Sequence, residues 1–242
     1  MPTASKQAKA NQILAALSRP SFRRMIEILE PVQLEYGQVI YEPLGPIEDV
    51  YFPIDCLVSL LTAVDDNRTL EVGMVGDEGM IGMPMALGIE VSAVRALVQG
   101  GGTALRMSAG HFRREFRDNV PLQRALFRYN HLLMAQISQT AACNRFHETT
   151  HRLARWLLMT RDRLHADEFV LTHEFLSHML GVRRSGVSIA ACALQEDALI
   201  SYSRGKVKIL NPARLEAAAC SCYRTIKDLQ DLAQKQGQRQ MR

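Results

Sequence analysis

Apolar residues recur at helical spacing through two short segments of residues 172–191, and a glycine separates the two segments. Thr172 can cap the first helix through its hydroxyl. Gly181 can adopt the positive φ that a tight turn requires. The apolar residues placed to pack the two segments together are Leu176, Leu180, Val182, Val187 and Ala190. The pattern predicts a helix-turn-helix.

The second of these helices opens with polar side chains that the apolar pattern leaves facing outward. In a DNA-binding helix-turn-helix this end enters the major groove, where a guanidinium can donate two bonds to guanine and hydroxyls can reach bases or phosphates. The alternative is an ordinary helical hairpin with a solvated arginine pair. The candidate DNA-binding residues of this motif are Thr172, Arg183, Arg184, Ser185 and Ser188.

A short hairpin is predicted just downstream, from Leu199 to Leu210, around a Ser-Arg-Gly-Lys turn. Val207 and Ile209 alternate with lysines along its second strand. A hairpin after a recognition helix can hold Arg204 and Lys206 against the DNA backbone. Taken alone, the segment fits an exposed hairpin with solvating lysines equally well. Together with the preceding motif it favours a winged helix.

The first half of the chain alternates short apolar runs with Gly, Pro, Asp and Asn from about Val32 to Met107, which predicts an all-β sandwich or barrel. Glycines at 73, 76, 79 and 82 fit corner turns better than a phosphate-binding loop, because no GxxxxGK[ST] motif accompanies them. Ahead of this domain, residues 11–29 predict short packing helices broken near Pro20.

A long helix without internal breakers is predicted between the halves, over Pro121–Arg145. Apolar positions recur along it at alternating spacings of three and four, which is typical of a coiled-coil seam. A two-fold dimer on this seam would place two recognition helices about 34 Å apart, one turn of duplex. The alternative is a helix buried against its own barrel. The predicted dimer residues are Leu122, Leu126, Tyr129, Leu133, Ile137 (or Gln136) and Thr140.

Composition sets the class of protein. The 242 residues, 47% hydrophobic and 22% charged, suffice for two domains. No apolar run approaches the about 20 residues of a membrane span, and the start MPTASKQAKANQ lacks a signal-peptide core, so we expect a cytoplasmic protein without a membrane partner. Five cysteines, odd in number and scattered along the sequence, predict reduced thiols without a disulfide framework or iron-sulfur spacing.

Charge is distributed unevenly along the chain. Residues 1–111 hold 8 Lys and Arg against 13 Asp and Glu, a balance of −5, whereas residues 112–242 hold 21 against 12, a balance of +9. The basic half carries the predicted helix-turn-helix. A positive surface attracts a polyanion and releases its counterions, so double-stranded DNA is the expected partner.

This order of parts resembles the CRP/FNR superfamily of bacterial transcription regulators, most closely in GDEGMIGMPMALGIEVSAVRAL (76–97), the helix-turn-helix and LISYSRGKVKIL (199–210). The resemblance implies an α+β fold with an amino-terminal double-stranded β-helix, a jelly-roll barrel like cyclic-nucleotide-binding domains, over residues 1–118. It further implies a central dimerisation helix over 119–147 and a winged helix-turn-helix over 148–242. It predicts a homodimeric regulator of promoters that senses an effector and contacts RNA polymerase.

The resemblance breaks down at the residues that bind cyclic AMP in other members. Their Gly-Glu and Arg-Ser pairs correspond here to Gly82-Met83 and Val91-Ser92, the tentative effector pocket. Without the carboxylate and the guanidinium we predict no tight cyclic-nucleotide binding. The methionines that could line an apolar pocket instead, or more simply fill the core, are Met74, Met80, Met83 and Met85.

The resemblance is also partial on the recognition helix and beyond it. Arg184 corresponds to the family's guanine-contacting arginine, whereas Ser185 stands where glutamate is usual and Ile189 where several members have arginine. We therefore expect a different operator sequence. The segment after Pro212 predicts a helix extending past the usual family end.

One motif favours a different class of protein, a zinc-dependent hydrolase. His147-Glu148-Thr149-Thr150-His151 matches HExxH, in which two histidines on one helix hold zinc. A third ligand would be needed, and Glu168 or Glu174 could supply it. The motif falls at the predicted hinge after the long helix, where a threonine would cap the next helix, so we expect no enzyme, metal or cofactor here.

Overall fold

The computed structural model describes residues 8–65 and 68–239, and the first seven residues of the amino-terminal stretch discussed above lie outside it. The chain divides into two compact units. One unit comprises the described residues up to Leu60, Met74–Met134 and the chain from Leu229 onward. The other comprises Leu61–Gly73 and Ala135–Asp228. The predicted domain limits at 118 and 147 stay a prediction.

The first unit opens with two short helices, α1 (Gln12–Ala15) and α2 (Arg19–Ile28), separated just before Pro20 as the sequence predicts. Asn11 fixes their position. Its buried side chain caps α1 by accepting from the Ile13 and Leu14 amides, and it donates to the carbonyl oxygens of Pro53 and Gly79 at 3.0 and 2.9 Å.

Seven strands follow, and they form two sheets. Strands β1, β7 and β3 make one sheet in the order β1-β7-β3, with antiparallel pairing. The other sheet has the order β2-β6-β4-β5. The bounds are β1 (Glu30–Leu34), β2 (Val39–Tyr41), β3 (Asp49–Pro53), β4 (Leu57–Asp65), β5 (Arg68–Val75), β6 (Arg95–Gly100) and β7 (Gly102–Ser108), with a 3₁₀ helix at Met83–Leu87. The prediction of a β-rich first half is confirmed.

Helix α3 (Ala109–Asp118) leads into the long helix α4 (Val120–Phe146), close to the predicted limits. Gly79 lies so near this helix that an added Cβ would be 2.3 Å from the Tyr129 ring. The predicted seam is buried within the chain, with exposures from 0% at Leu122 to 8% at Leu133, and only Ile137 is half-exposed. These side chains are buried within their own chain, as in the alternative of a helix packed against its own domain, and their role in a dimer stays a prediction.

The rest of the second unit contains helices and one small sheet. Its fully buried Trp156 donates from Nε1 to Glu71 Oε1 at 2.9 Å and packs edge-on against Phe175. Three strands form an antiparallel sheet in the order β8-β10-β9. The bounds are α5 (Thr149–Leu164), β8 (Glu168–Val170), α6 (His173–Leu180), α7 (Arg184–Glu196), β9 (Ile200–Ser203), β10 (Lys206–Ile209) and α8 (Pro212–Ala218).

The segment after Pro212 forms two helices rather than one continuous extension. Helix α8 ends at Ala218, and α9 (Cys222–Arg239) begins after a break of three residues. The two cysteines Cys220 and Cys222 lie at this break, which their sequence spacing did not indicate. Separately, none of the helices in the described part of the chain is long and apolar enough to cross a membrane.

Candidate nucleic-acid interface

Helices α6 and α7 form the predicted helix-turn-helix, and local chemistry sets the turn between them. Thr172 Oγ1 accepts from the Phe175 amide at 3.1 Å and so caps α6. Gly181 ends α6 in the left-handed conformation, with φ 61°. The Val182 amide donates back to the Ser177 carbonyl at 3.0 Å, which closes the turn. Leu176 and Leu180 are buried, as the apolar pattern predicts.

Helix α7 packs on α5 and α6 through an apolar face and leaves its start exposed. Val187 and Ala190 are almost completely buried, and Val182 is half-buried. Arg183 lies one residue before the helix and has no side-chain cap bond, while Arg184 begins the helix. The polar residues at this end face outward, as the apolar pattern predicts: Arg183, Arg184 and Ser185 are exposed, and Ser188 is half-exposed.

The backbone of this helix start adds to its capacity for an anion. The Gly186 and Val187 amides both donate to the Arg183 carbonyl. In the described part of the chain, no side chain caps the preceding amides of Arg184 and Ser185, so they can meet a phosphate oxygen. A cationic helix start with open amides suits a polyanion.

The wing is a type I′ hairpin, because Arg204 and Gly205 both have positive φ, 49° and 76°. Lys206 and Arg204 are exposed, whereas Val207 is buried at 1% exposure. The sequence prediction did not include β8, which pairs with the inner strand β10. Its three residues are too few to give a recognisable alternation, so the pattern carried no usable signal.

His173 connects the wing to helix α7 through a ring stack and a hydrogen bond. His173 stacks on Tyr202 with ring centroids 4.5 Å apart, and its Nδ1 lies 2.9 Å from Ser188 Oγ. Tyr202 donates its hydroxyl to the Leu171 carbonyl at 2.8 Å. Burial and the nearby charge of Arg184 lower the pKa of His173 below its usual value. Ser188 is therefore engaged within the domain, and His173 is a packing residue.

Comparison with known families identifies this arrangement. The sequence model of the Crp-like helix-turn-helix domain matches residues 151–218, which include α6, α7 and the wing. This segment is a Crp-like helix-turn-helix domain. No curated protein matches the chain in sequence.

The fold around the Crp-like domain is that of CRP/FNR transcription regulators. FixK2 from Bradyrhizobium japonicum superposes with a TM-score of 0.68 at 16% identity, over 80% of this chain and 98% of that one. A CRP/FNR-family putative transcriptional regulator from Eubacterium rectale gives 0.66 at 16% identity, over 84% and 95%. The c-di-GMP-responsive global regulator CLP of Xanthomonas campestris gives 0.65 at 16%, over 80% and 100%. The predicted resemblance and fold class are confirmed.

In the amino-terminal unit, the tentative effector residues lie in one loop region but have different surroundings. Gly82, with φ 96°, donates its amide to the Tyr41 hydroxyl at 3.2 Å. Ser92 is buried, and its hydroxyl donates to the Val94 carbonyl at 2.7 Å. Met83 is buried at 5% exposure while Val91 is 44% exposed. Like Met83, the methionines Met74, Met80 and Met85 are buried among core residues.

The HETTH motif does not form the helix that a zinc hydrolase requires. Helix α4 ends at Phe146 and α5 begins at Thr149, so His147 lies before the break and the exposed His151 after it. Glu148, rather than a threonine, occupies the cap position of α5. His147 instead lies close to three cysteines, which the sequence spacing did not predict to cluster. The observed histidine placement removes the basis for the hydrolase alternative.

Proposed function

We propose that this protein is a homodimeric transcription regulator that binds an inverted-repeat operator through its Crp-like domain. The domain and the fold already support the broader statement, a DNA-binding transcription regulator. The observation that carries the proposal is the exposed start of α7, where Arg183 and Arg184 stand beside uncapped backbone amides. Arg184 contacts guanine, while the wing residues Arg204 and Lys206 contact phosphates.

The outer face of α7 suggests which bases are recognised beyond that guanine. Ile189 is 71% exposed on the recognition helix. An exposed isoleucine cannot donate to guanine, but it can contact the methyl group of thymine. The operator half-site therefore contains a guanine near Arg184 and favours thymine near Ile189.

Helix α4 has a second apolar stripe, which is exposed. This stripe, rather than the buried seam, supports dimerisation. Val120, Phe127 and Met134 recur every seven residues and are 49%, 51% and 61% exposed. Asn130 and Ile137, three residues after Phe127 and Met134, are half-exposed. This spacing is that of a coiled-coil seam, with a polar Asn at one core position to fix register. We propose this outward stripe as the dimer contact.

The amino-terminal β-domain is proposed to be an effector-sensing unit that does not bind cyclic AMP. Its residues Gly82-Met83 and Val91-Ser92 lack the carboxylate and guanidinium that hold the ribose and the cyclic phosphate in family members that bind cyclic AMP. An effector would act by changing the population of dimers whose two recognition helices match the spacing of the groove. RNA polymerase would be contacted on the promoter.

The deciding experiment is selection of the purified full-length protein against random duplex DNA near physiological salt, with the retained sequences determined. We expect an inverted repeat with half-sites about one helical turn apart. Enrichment of single half-sites would contradict the dimer, and retention without sequence preference would contradict specific recognition by Arg184.

A further inference from the structure

Three cysteines and one histidine converge in the second unit although they are distant in sequence. The potential ligand atoms of Cys143, His147, Cys220 and Cys222 all lie within 4.8 Å of one another. Cys143 Sγ is 3.4 Å from Cys220 Sγ, and Cys222 Sγ is 3.4 Å from His147 Nδ1. The thiols are buried, and the imidazole is half-buried. These four residues are called the Cys3His cluster below.

Two helix ends create the Cys3His cluster. Cys143 and His147 lie one helical turn apart at the end of α4, and the His147 amide donates to the Cys143 carbonyl at 3.1 Å. Cys220 lies in the break between α8 and α9, and Cys222 is the first residue of α9. Their C-x-C spacing puts both thiols on one short turn. The cluster thus joins the start of α9 to the hinge that precedes the Crp-like domain.

No two of the four ligand atoms are more than about 1 Å farther apart than the ligands of a single tetrahedral zinc ion. With Zn–S bonds of about 2.3 Å and a Zn–N bond of about 2.0 Å, neighbouring ligand atoms lie about 3.5 to 3.8 Å apart. The two 3.4 Å contacts need only a small expansion. A disulfide would require about 2.05 Å. Cysteines 143, 220 and 222 are all free thiols.

The surroundings of the Cys3His cluster favour negatively charged sulfur. Gln139, one turn before Cys143, donates from Nε2 to Cys222 Sγ at 3.0 Å. Arg152 and Arg155 are buried, at 6% and 3% exposure, and each interacts electrostatically with Cys143. Among the described residues neither arginine has a carboxylate partner, and the Nε atom of each lacks a hydrogen bond.

Buried cations without counterions are costly, and the cluster can compensate them. Three thiolates and a neutral imidazole around a divalent ion carry a net charge of −1. That charge lies beside two buried guanidinium groups. A metal-thiolate centre would therefore compensate one of the two positive charges of Arg152 and Arg155.

We propose that Cys143, His147, Cys220 and Cys222 bind one zinc ion in a closed tetrahedral site. Thiolate and imidazole are the ligands of structural zinc. Four protein ligands leave no position for a reactive water, so the ion is structural rather than catalytic. It clamps the start of α9 to the hinge between α4 and α5, independently of whether the Crp-like domain binds an inverted repeat.

The test is metal analysis of the full-length protein, expressed with zinc and purified without chelator under reducing conditions. We expect one zinc per chain. Cys222→Ser and His147→Gln lose most of the zinc, while the matched controls Cys192→Ser and His151→Gln retain it, because Cys192 and His151 are exposed and lie outside the cluster. Loss of zinc in His151→Gln with retention in Cys222→Ser would overturn the proposal.

A second readout does not depend on the variants folding. Cobalt(II) added to the metal-depleted wild-type protein is expected to give the visible spectrum of a tetrahedral thiolate complex. A strong zinc chelator is expected to lower the melting temperature, since metal bound only to the folded state stabilises it. Metal-free wild-type protein with a Cys143–Cys220 disulfide by mass spectrometry, or an unchanged melting temperature with chelator, refutes the site.

Discussion

Arg184 and Lys206 are both exposed cations of the Crp-like domain, yet we assign them to different parts of the DNA. Arg184→Ala is expected to cost about 1 to 3 kcal/mol at one base pair and to relax specificity there, because a bidentate contact to guanine is lost. Lys206→Ala is expected to weaken binding to all DNA sequences alike, because a phosphate contact is lost. The slope of log affinity against log salt concentration should become smaller by about one. Fluorescence anisotropy on matched and single-substituted operators, over a salt series, measures both.

Arg113→Ala is the matched control for these two variants. It removes one exposed positive charge, paired with Glu90, from the other unit. Operator affinity should stay close to wild type. If Arg184→Ala lost the same affinity for every DNA sequence, this would contradict the role of Arg184 as a base contact.

His173 makes the stability of the Crp-like domain dependent on pH. Its folded pKa is lowered by burial and by the charge of Arg184, with Tyr202 and Ser188 as its other close neighbours. As the pH falls below about 6.5 the unfolded chain gains a proton that the folded chain resists, so stability decreases. We expect the drop in melting temperature from pH 7.5 to 5.5 to be smaller in His173→Gln than in wild type.

His178→Gln is the control for the pH dependence, because His178 is exposed on the same helix α6. It should leave the drop in melting temperature unchanged. If the melting temperature of His173→Gln fell as much as that of wild type between pH 7.5 and 5.5, His173 would not contribute to the pH dependence.

At the scale of elements, the turn between α6 and α7 depends on a left-handed residue. Gly181 has φ 61°, and a Cβ there would lie 2.7 Å from Leu70 Cδ1. Gly181→Ala should lower the free energy of unfolding by about 1 to 2 kcal/mol, because L-residues are disfavoured in this conformation. Urea denaturation of the free protein measures this loss.

Gly186 provides the matched control within the same motif. It lies in the first turn of α7, and a Cβ would meet only Val182, at 4.0 Å. Gly186→Ala should therefore raise stability by about 0.5 kcal/mol, since alanine loses less backbone entropy in a helix than glycine. Equal destabilisation by both substitutions would show that the sign of φ at 181 is not the cause.

The helix-turn-helix and the wing could be predicted because their signals are local. A capping threonine, a glycine at the turn and alternating Val207 and Ile209 each act within a few residues. The face of α4 that packs inward could not be predicted in this way. Two apolar stripes with heptad spacing exist on that helix, and only contacts from residues distant in sequence, such as Gly79 against Tyr129, decide which is buried.

For the whole molecule, the outward stripe on α4 predicts the oligomeric state. The double variant Phe127→Glu, Met134→Glu should convert the dimer to a monomer, because four charges would meet across the seam. Light scattering coupled to size exclusion measures the mass. Tyr36→Glu is the control, since Tyr36 is an aromatic residue of almost the same exposure, 52% against 51% for Phe127. A dimer that persists in the double variant would refute the proposed contact.

The residues Gly82-Met83 and Val91-Ser92 predict that the full-length protein does not respond to cyclic AMP. Adding the nucleotide should leave operator affinity unchanged, because positions 82–83 and 91–92 offer no charged partner to the ribose or phosphate. Equilibrium dialysis alongside anisotropy checks both binding and effect. Tight binding of cyclic AMP would mean that other residues supply these contacts.

The amino-acid sequence by itself determined the order of elements and the helix-turn-helix with its exposed arginines. Periodicity, caps, turns and the basic second half are properties of neighbouring residues. Only the tertiary structure decided which stripe of α4 is buried and which residue accompanies His147. HETTH suggested His151, whereas folding brings Cys143, Cys220 and Cys222 to His147. A ligand set is defined by distances in space, and chain spacing fixes those distances only within a single helix or turn.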